Sequence, residues 1–232
     1  MPDRSMNMKI YTDTTENTVR ACADAVEDTL KRKPDALLAL TAGRSTTALY
    51  RELSRRDIDF RAARIFAVTE FVGEAAEDSC RTVLENELLN NIGIPPDNVY
   101  FPDASDPAAY DALIDSLGGI DLAVLGIGMN AHIGYNEPAT PFDSLTHVQK
   151  LTDATKRQLV AEGRAPQDYA VTMGIKTICS ARDIVLLALG EEKAECVFKA
   201  VYARTDSAVP AAFLQLPLNV SLYLDTDAAK KL

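Results

Sequence analysis

Short apolar runs alternate along the chain with longer stretches in which apolar residues recur at helical spacing. The runs are Met8–Tyr11, Ala36–Leu40, Ile65–Val68, Val99–Phe101, Leu122–Leu125, Ile184–Leu189 and Val220–Leu224. Their length and almost unbroken apolar character fit strands covered on both faces. Helical spacing runs between them over Glu16–Arg32, Thr46–Arg56, Asp78–Asn91, Pro107–Leu117 and Glu191–Ala203. Strand alternating with helix predicts an α/β protein with a largely parallel sheet and helices on both faces.

The resulting expectation is one Rossmann-like domain spanning residues 1–232, since a chain of 232 residues buries a large core in a single layered structure. No internal repeat or low-complexity linker interrupts it. Residues 1–7 are polar and are expected to be disordered. Residues 138–167 carry Pro138, Pro141, Gly163 and Pro166 and read as less regular than the rest, either a lid or a surface excursion. In open parallel sheets the ligand crevice lies outside the carboxyl ends of the strands. The loops directly after each apolar run are therefore where chemistry is sought.

Charge narrows the partners. Lys and Arg total 24 against 34 Asp and Glu, a net charge of −10, and such a field repels phosphate backbones and anionic membrane surfaces. Neither nucleic acid nor membrane is an expected partner, and an anionic small molecule must be held by local donors. Cys22, Cys80, Cys179 and Cys196 lack Cys-x-x-Cys spacing and read as reduced packing residues. No signal-peptide h-region or bilayer-length apolar run is visible, so a cytoplasmic location is expected.

Three loops carry polar chemistry. Thr41–Thr47 follows a strand and opens a helix: Gly43 permits close backbone approach, Ser45 and Thr46 offer hydroxyls, and the helix start offers free N–H groups. It lacks both the Walker lysine and the spaced glycines of a dinucleotide fingerprint, and reads equally as a phosphate cradle or a capped turn. Ala67–Gly73 presents Glu70 at a strand end, as an acid or base or as the ion-pair partner of Arg44 or Arg81. Gly126–Pro138 gathers His132, Asn130, Asn136 and Glu137 among three glycines. A histidine titrates near neutrality, and a glutamate five residues on can orient its ring, so catalysis is the favoured reading. No second histidine or clustered cysteine gives metal-ligand spacing, and His147 stands apart.

In this order the three loops resemble the superfamily of glucosamine-6-phosphate deaminase, galactosamine-6-phosphate isomerase and 6-phosphogluconolactonase. The resemblance covers nearly the whole chain. Its most specific element is Gly-x-Gly-x-Asn-x-His-x-Gly-x-Asn-Glu-Pro over Gly126–Pro138, which is similar to the amino-sugar-phosphate branch. The resemblance implies ring opening by His132 aided by Glu137, and a phosphate held at Gly43, Arg44, Ser45 and Thr46. Lys193, in Leu189-Gly190-Glu191-Glu192-Lys193, matches a family lysine that also meets the phosphate. The implied ligand is a small sugar phosphate, no cofactor or metal is called for by this acid/base chemistry, and a homo-oligomer is left open.

Two positions depart from the pattern. Asn130 stands where deaminases carry aspartate, as in galactosamine-6-phosphate-type isomerases. Thr69 stands where the family has the aspartate that moves a proton between C1 and C2, and a threonine hydroxyl cannot do that at neutral pH. Three readings follow: Glu70 substitutes as base, the reaction needs only His132 and Glu137 (ring opening, or lactone hydrolysis by activated water), or the chain binds sugar phosphate without turning it over.

Overall fold

The computed structural model describes residues 8–73 and 79–232. The start of the third expected helix at Asp78 and the expected disorder of residues 1–7 lie outside the described residues. Seven parallel strands form the main sheet: β1 (Met8–Asp13), β2 (Leu37–Leu40), β3 (Arg64–Ala67), β5 (Val99–Tyr100), β6 (Leu122–Leu125), β9 (Asp183–Ala188) and β10 (Val220–Asp225), in the order β1-β10-β9-β6-β2-β3-β5. Each lies on an apolar run of the sequence. Successive side chains of a strand point to opposite faces, and the core divides accordingly. Leu37, Ala39, Ala123, Leu125 and Leu186 pack on one side, and Leu38, Leu40, Leu122, Val124 and Leu187 on the other.

Helices cover both sides. Helices α1 (Thr15–Arg32), α2 (Arg44–Leu53) and α3 (Cys80–Glu87) bury Val26, Leu49 and Leu84 against one face. On the other, α4 (Pro107–Ser116), α6 (Ile175–Cys179) and α7 (Ala194–Tyr202) bury Ile114, Ile178 and Val197. Thr14 caps α1, its hydroxyl accepting from the Asn17 amide, an interaction worth about 1 kcal/mol.

Strand order fixes where a ligand sits. From β2 the chain proceeds outward through β3 to β5, then returns to place β6 on the opposite side of β2. The loops leaving β2 and β6 thus diverge at a topological switch point, where open sheets form their crevice.

A second sheet, unforeseen in the sequence, has three antiparallel strands in the order β4-β8-β7: β4 (Thr69–Phe71), β7 (His147–Lys150) and β8 (Tyr169–Thr172). The segment read as irregular therefore holds β7 and a helix, α5 (Asp153–Ala161). It is pinned rather than loose. The Asp111 carboxylate accepts from the Thr146 amide at 2.8 Å, Ser144 Oγ accepts from the Ile175 amide at 2.9 Å, and Leu151 N donates to Asp168 O at 2.8 Å. Gly174 packs so closely that a Cβ there would lie 2.1 Å from the Ser144 carbonyl oxygen.

Candidate active site

A cleft opens at the switch point, between the β2–α2 loop, the β6 loop and α5. Its floor at one end is the start of α2, a helix of ten residues. Gly43 precedes the first turn in extended conformation, and among the described residues no side chain caps it, leaving the amides of that turn to face the cleft with the positive end of the helix dipole. Thr41 is buried at 8% exposure, and its hydroxyl has no partner among the described residues. Ser45 Oγ accepts from the Leu189 amide at 3.2 Å, which leaves its proton free to donate. The Thr46 hydroxyl is committed within the loop, to Thr41 O at 2.7 Å and Gly43 O at 3.0 Å, so Thr46 contributes its backbone only.

Lys193 arrives from the opposite side. Asp225, at the end of β10, accepts from the Gly190 amide at 3.0 Å, the Ala228 amide at 2.8 Å and the Thr15 hydroxyl at 2.9 Å. That anchors the turn after β9, where Gly190 has φ +95°, a conformation natural to glycine. Lys193 is 5% exposed, donates to Ile127 O at 2.8 Å and lines the cleft. Burial pushes its ammonium below the usual lysine range, a cost that an anion in the cleft would relieve. Arg44 is exposed and pairs with Glu192, clipping the two phosphate-side loops together.

The other end of the cleft holds His132. Ala131 before it has φ +64°, a left-handed turn that costs an alanine about 1–2 kcal/mol and drives the imidazole inward. The ring lies over Gly128, where a Cβ would come within 2.2 Å of Nε2. Behind it sits Glu137, 1% exposed, with Oε2 3.8 Å from His132 Nδ1. The gap is bridged by hydroxyls: Thr155 Oγ1 lies 3.3 Å from His132 Nδ1 and 3.3 Å from Thr152 Oγ1, which donates to Glu137 Oε2 at 3.2 Å. Thr152 N adds a bond to Oε1 at 3.2 Å, and Asn130 Nδ2 donates to Oε2 at 2.6 Å. Burial alone would raise the Glu137 carboxyl, but His132 and the hydroxyl and amide donors outweigh it and hold it at about 2. Asn130 thus acts as a donor to Glu137, while its carbonyl accepts from the His132 amide at 3.2 Å.

Thr69 and Glu70 part company. Thr69 lines the cleft, 2% exposed, with Oγ1 3.3 Å from Cys80 Sγ. Glu70 lies outside the cleft lining: its carboxylate accepts from the amides of Phe71 at 2.8 Å, Cys80 at 3.1 Å and Arg81 at 2.8 Å. It serves the first turn of α3, where a carboxylate meets the helix dipole favourably. The alternating geometry of a strand explains the divergence, because neighbouring residues of β4 face opposite ways.

The structure therefore brings Gly43, Arg44, Ser45, Thr46, Lys193, His132 and Thr69 to one cleft, with Glu137 and Asn130 directly behind the histidine. Sequence reasoning missed Tyr135, Thr155, Gln158, Glu162 and Arg164, which also line it. Three of these belong to α5 or its end, in the segment read as irregular. Arg164 packs over the Phe71 ring at 4.9 Å, and its charge reaches the Tyr135 hydroxyl and the Cys80 thiol. The only hint to α5 was Thr152, a normal N-cap residue, just before Asp153.

Comparison with known proteins fits this site. The model of the glucosamine-6-phosphate isomerase/6-phosphogluconolactonase family matches residues 11–221. A glucosamine-6-phosphate deaminase of Lysinibacillus sphaericus is 37% identical over 83% of this chain and 88% of its own, and one of Shewanella loihica 38% identical over 90% and 84%. A solved monomeric glucosamine-6-phosphate deaminase superposes with a TM-score of 0.93 at 32% identity, over 97% of this chain and 100% of the other. The 6-phosphogluconolactonase of Thermotoga maritima shares the fold, with a TM-score of 0.78 at 20% identity over 94% and 100%. With the family model matched over residues 11–221 and relatives at 37–38% identity over most of the chain, the chain belongs to the family of glucosamine-6-phosphate isomerases and 6-phosphogluconolactonases.

Proposed function

We propose that this chain is a cytoplasmic isomerase or deaminase acting on an amino-sugar 6-phosphate. The single observation that carries the reading is the pairing, across one cleft, of an uncapped helix start beside buried Lys193 with a buried imidazole backed by Glu137. The phosphate binds at the α2 amides, Ser45 and Lys193, where local donors overcome the molecule's negative field. Arg44 joins it by exchanging Glu192 for the phosphate.

The sugar ring then lies against His132. Its outward nitrogen takes the proton of the C1 hydroxyl and delivers one to the ring oxygen, while Glu137 stabilises the imidazolium through the ion pair and the two threonine hydroxyls. The subsequent transfer between C1 and C2 needs a base, and Thr69 offers none at neutral pH. Glu70 can serve only if the first turn of α3 releases its three amide bonds. The threonine also favours a second reading, hydrolysis of a sugar-acid lactone phosphate, in which His132 activates water and no C2 base is required.

The test is ammonia release and ketose formation from glucosamine 6-phosphate and galactosamine 6-phosphate, using wild type, Glu70→Gln, Thr69→Asp and His132→Ala. Wild-type turnover, lost in His132→Ala and raised in Thr69→Asp, is expected. Loss in Glu70→Gln with α3 intact by hydrogen exchange assigns the base to Glu70. Wild type inactive on both sugars but hydrolysing the lactone phosphate replaces this reading with the second.

A further inference from the structure

The phosphate end of the cleft carries an ion pair of its own. Arg44 opens α2 and Glu192 immediately precedes Lys193, so their contact runs from one phosphate-side loop to the other. Among the described residues neither has a second ion-pair partner, whereas neighbouring Glu191 turns away to Lys230 at 2.7 Å. A cation in the first turn of a helix sits against the positive end of the dipole, which disfavours it. An anion beside Arg44 offsets that cost, and in the structure the anion is Glu192. Both side chains are well exposed, at 57% and 40%, and such pairs hold weakly. The placement of the carboxylate is nonetheless specified: it folds back over Gly190, where a Cβ would lie 2.6 Å from Glu192 Oε2. Once released from Arg44 it still stands just before α7, where the helix dipole favours a negative charge. Glu192 thus has two acceptable positions and Arg44 has two acceptable partners.

From this arrangement we infer that Glu192 is a built-in competitor for the phosphate of the substrate: it holds Arg44 until a phosphate monoester displaces it, and so weakens the binding of substrate and product alike. The inference rests on the proposal that the start of α2 is the phosphate end. Displacement exchanges one anion for another at the same guanidinium. Arg44 therefore adds orientation, through the paired N–H bonds a guanidinium makes to phosphate, more than it adds net affinity. Substrate and product are affected equally, because rearrangement at C1 and C2 leaves the 6-phosphate untouched. Looser holding at that end speeds the departure of product, a step that limits turnover in many enzymes. A sugar without the phosphate does not reach Arg44, and its binding is indifferent to Glu192. A competitor acts through Arg44 alone, whereas a carboxylate that merely adds negative charge to the region acts whether or not Arg44 is there.

The experiment is a double-mutant cycle on Glu192→Gln and Arg44→Gln, with affinities for inorganic phosphate and for glucosamine 6-phosphate measured by isothermal titration calorimetry. Glu191→Gln removes the same charge one position away and serves as the control. Glu192→Gln is expected to bind both ligands roughly two- to fivefold more tightly than wild type, the range that competition with one exposed ion pair allows, while Glu191→Gln matches wild type. In the Arg44→Gln background the gain from Glu192→Gln is expected to vanish. No gain in Glu192→Gln overturns the inference. So does an equal gain in Glu191→Gln, or a gain that survives Arg44→Gln, since charge alone would then be at work. Inorganic phosphate involves no sugar chemistry, which separates this inference from the isomerase/deaminase reading. The expected cycle with phosphate, in a protein that forms neither ammonia nor ketose, upholds the inference while that reading fails. Turnover of the amino-sugar phosphate with no gain in Glu192→Gln does the reverse. Absence of binding of either ligand to wild type overturns both.

Discussion

Gly128 is the residue whose replacement probes the site most locally. A methyl there would meet the His132 ring at 2.2–2.5 Å, far inside contact distance, and the imidazole is the softer partner. Gly128→Ala is expected to keep the fold, judged by far-UV circular dichroism, while lowering kcat by roughly 10²-fold, the cost of displacing a reacting group by about an ångström. Glu137 makes a prediction in pH. Its carboxyl sits at about 2 rather than the ordinary 4.5, so it binds protons less readily folded than unfolded. Its contribution to stability is fully present above 4.5 and is lost as pH falls toward 2. The difference in Tm between wild type and Glu137→Gln should therefore be large at pH 6 and shrink through that window. A difference independent of pH would mean that the carboxylate is not held by its charge. Single residues were also where sequence spoke most directly: His132 and Glu137 stood out by residue type in a strand-end loop, Gly43 read equally as part of a cradle or of a capped turn, and Lys193 was pointed to only by the family resemblance. What sequence could not give was direction, since Thr69 and Glu70 are adjacent in sequence yet one lines the cleft and the other caps α3.

At the scale of elements, the main sheet was legible because its inner strands β2, β3, β6, β9 and β10 bury most of a short apolar run, whereas the edge strands β1, buried only at Met8, and β5, half-buried, are marked by their apolar residues rather than by burial. The β4-β8-β7 sheet was not. Strand β7 alternates half-buried and exposed positions over His147–Lys150, and β4 is three residues long, so neither departs from loop composition. Helix α5 was hidden similarly: only Thr155 and Leu159 are buried in it, too few for a helical period to stand out. Yet α5 supplies much of the site. Thr152 at its cap holds Glu137, Thr155 meets His132, and Gln158 Oε1 accepts from the Met129 amide at 2.9 Å. Thr155→Val keeps the shape and removes the hydroxyl between imidazole and carboxylate. It is expected to lower kcat about tenfold with KM little changed, and to shift the acid limb of the kcat pH profile. A purely structural threonine would lower Tm too, but would leave kcat and the pH profile where they were. The destabilisation itself should be about 1 kcal/mol, the usual worth of one such hydrogen bond.

At the scale of the whole molecule, an anionic substrate meets a protein of net charge −10. Attraction comes from a few local sources: Lys193, 5% exposed, the α2 helix start, and Arg44 with Arg164 at the rim. The two contributions respond differently to salt. The Debye length shrinks from about 30 Å at 0.01 M to about 8 Å at 0.15 M, which removes the long-range repulsion of the acidic surface. The donors within the cleft, close to the phosphate and shielded from bulk ions, lose much less. If the substrate is a sugar phosphate held by those buried donors, kcat/KM should rise severalfold as sodium chloride increases from 10 to 150 mM, with kcat unchanged, because only encounter is affected. A fall over the same range would mean that the arginines at the rim, rather than the buried cradle, dominate capture. Arg44→Gln would then flatten the dependence and Lys193→Ala would not.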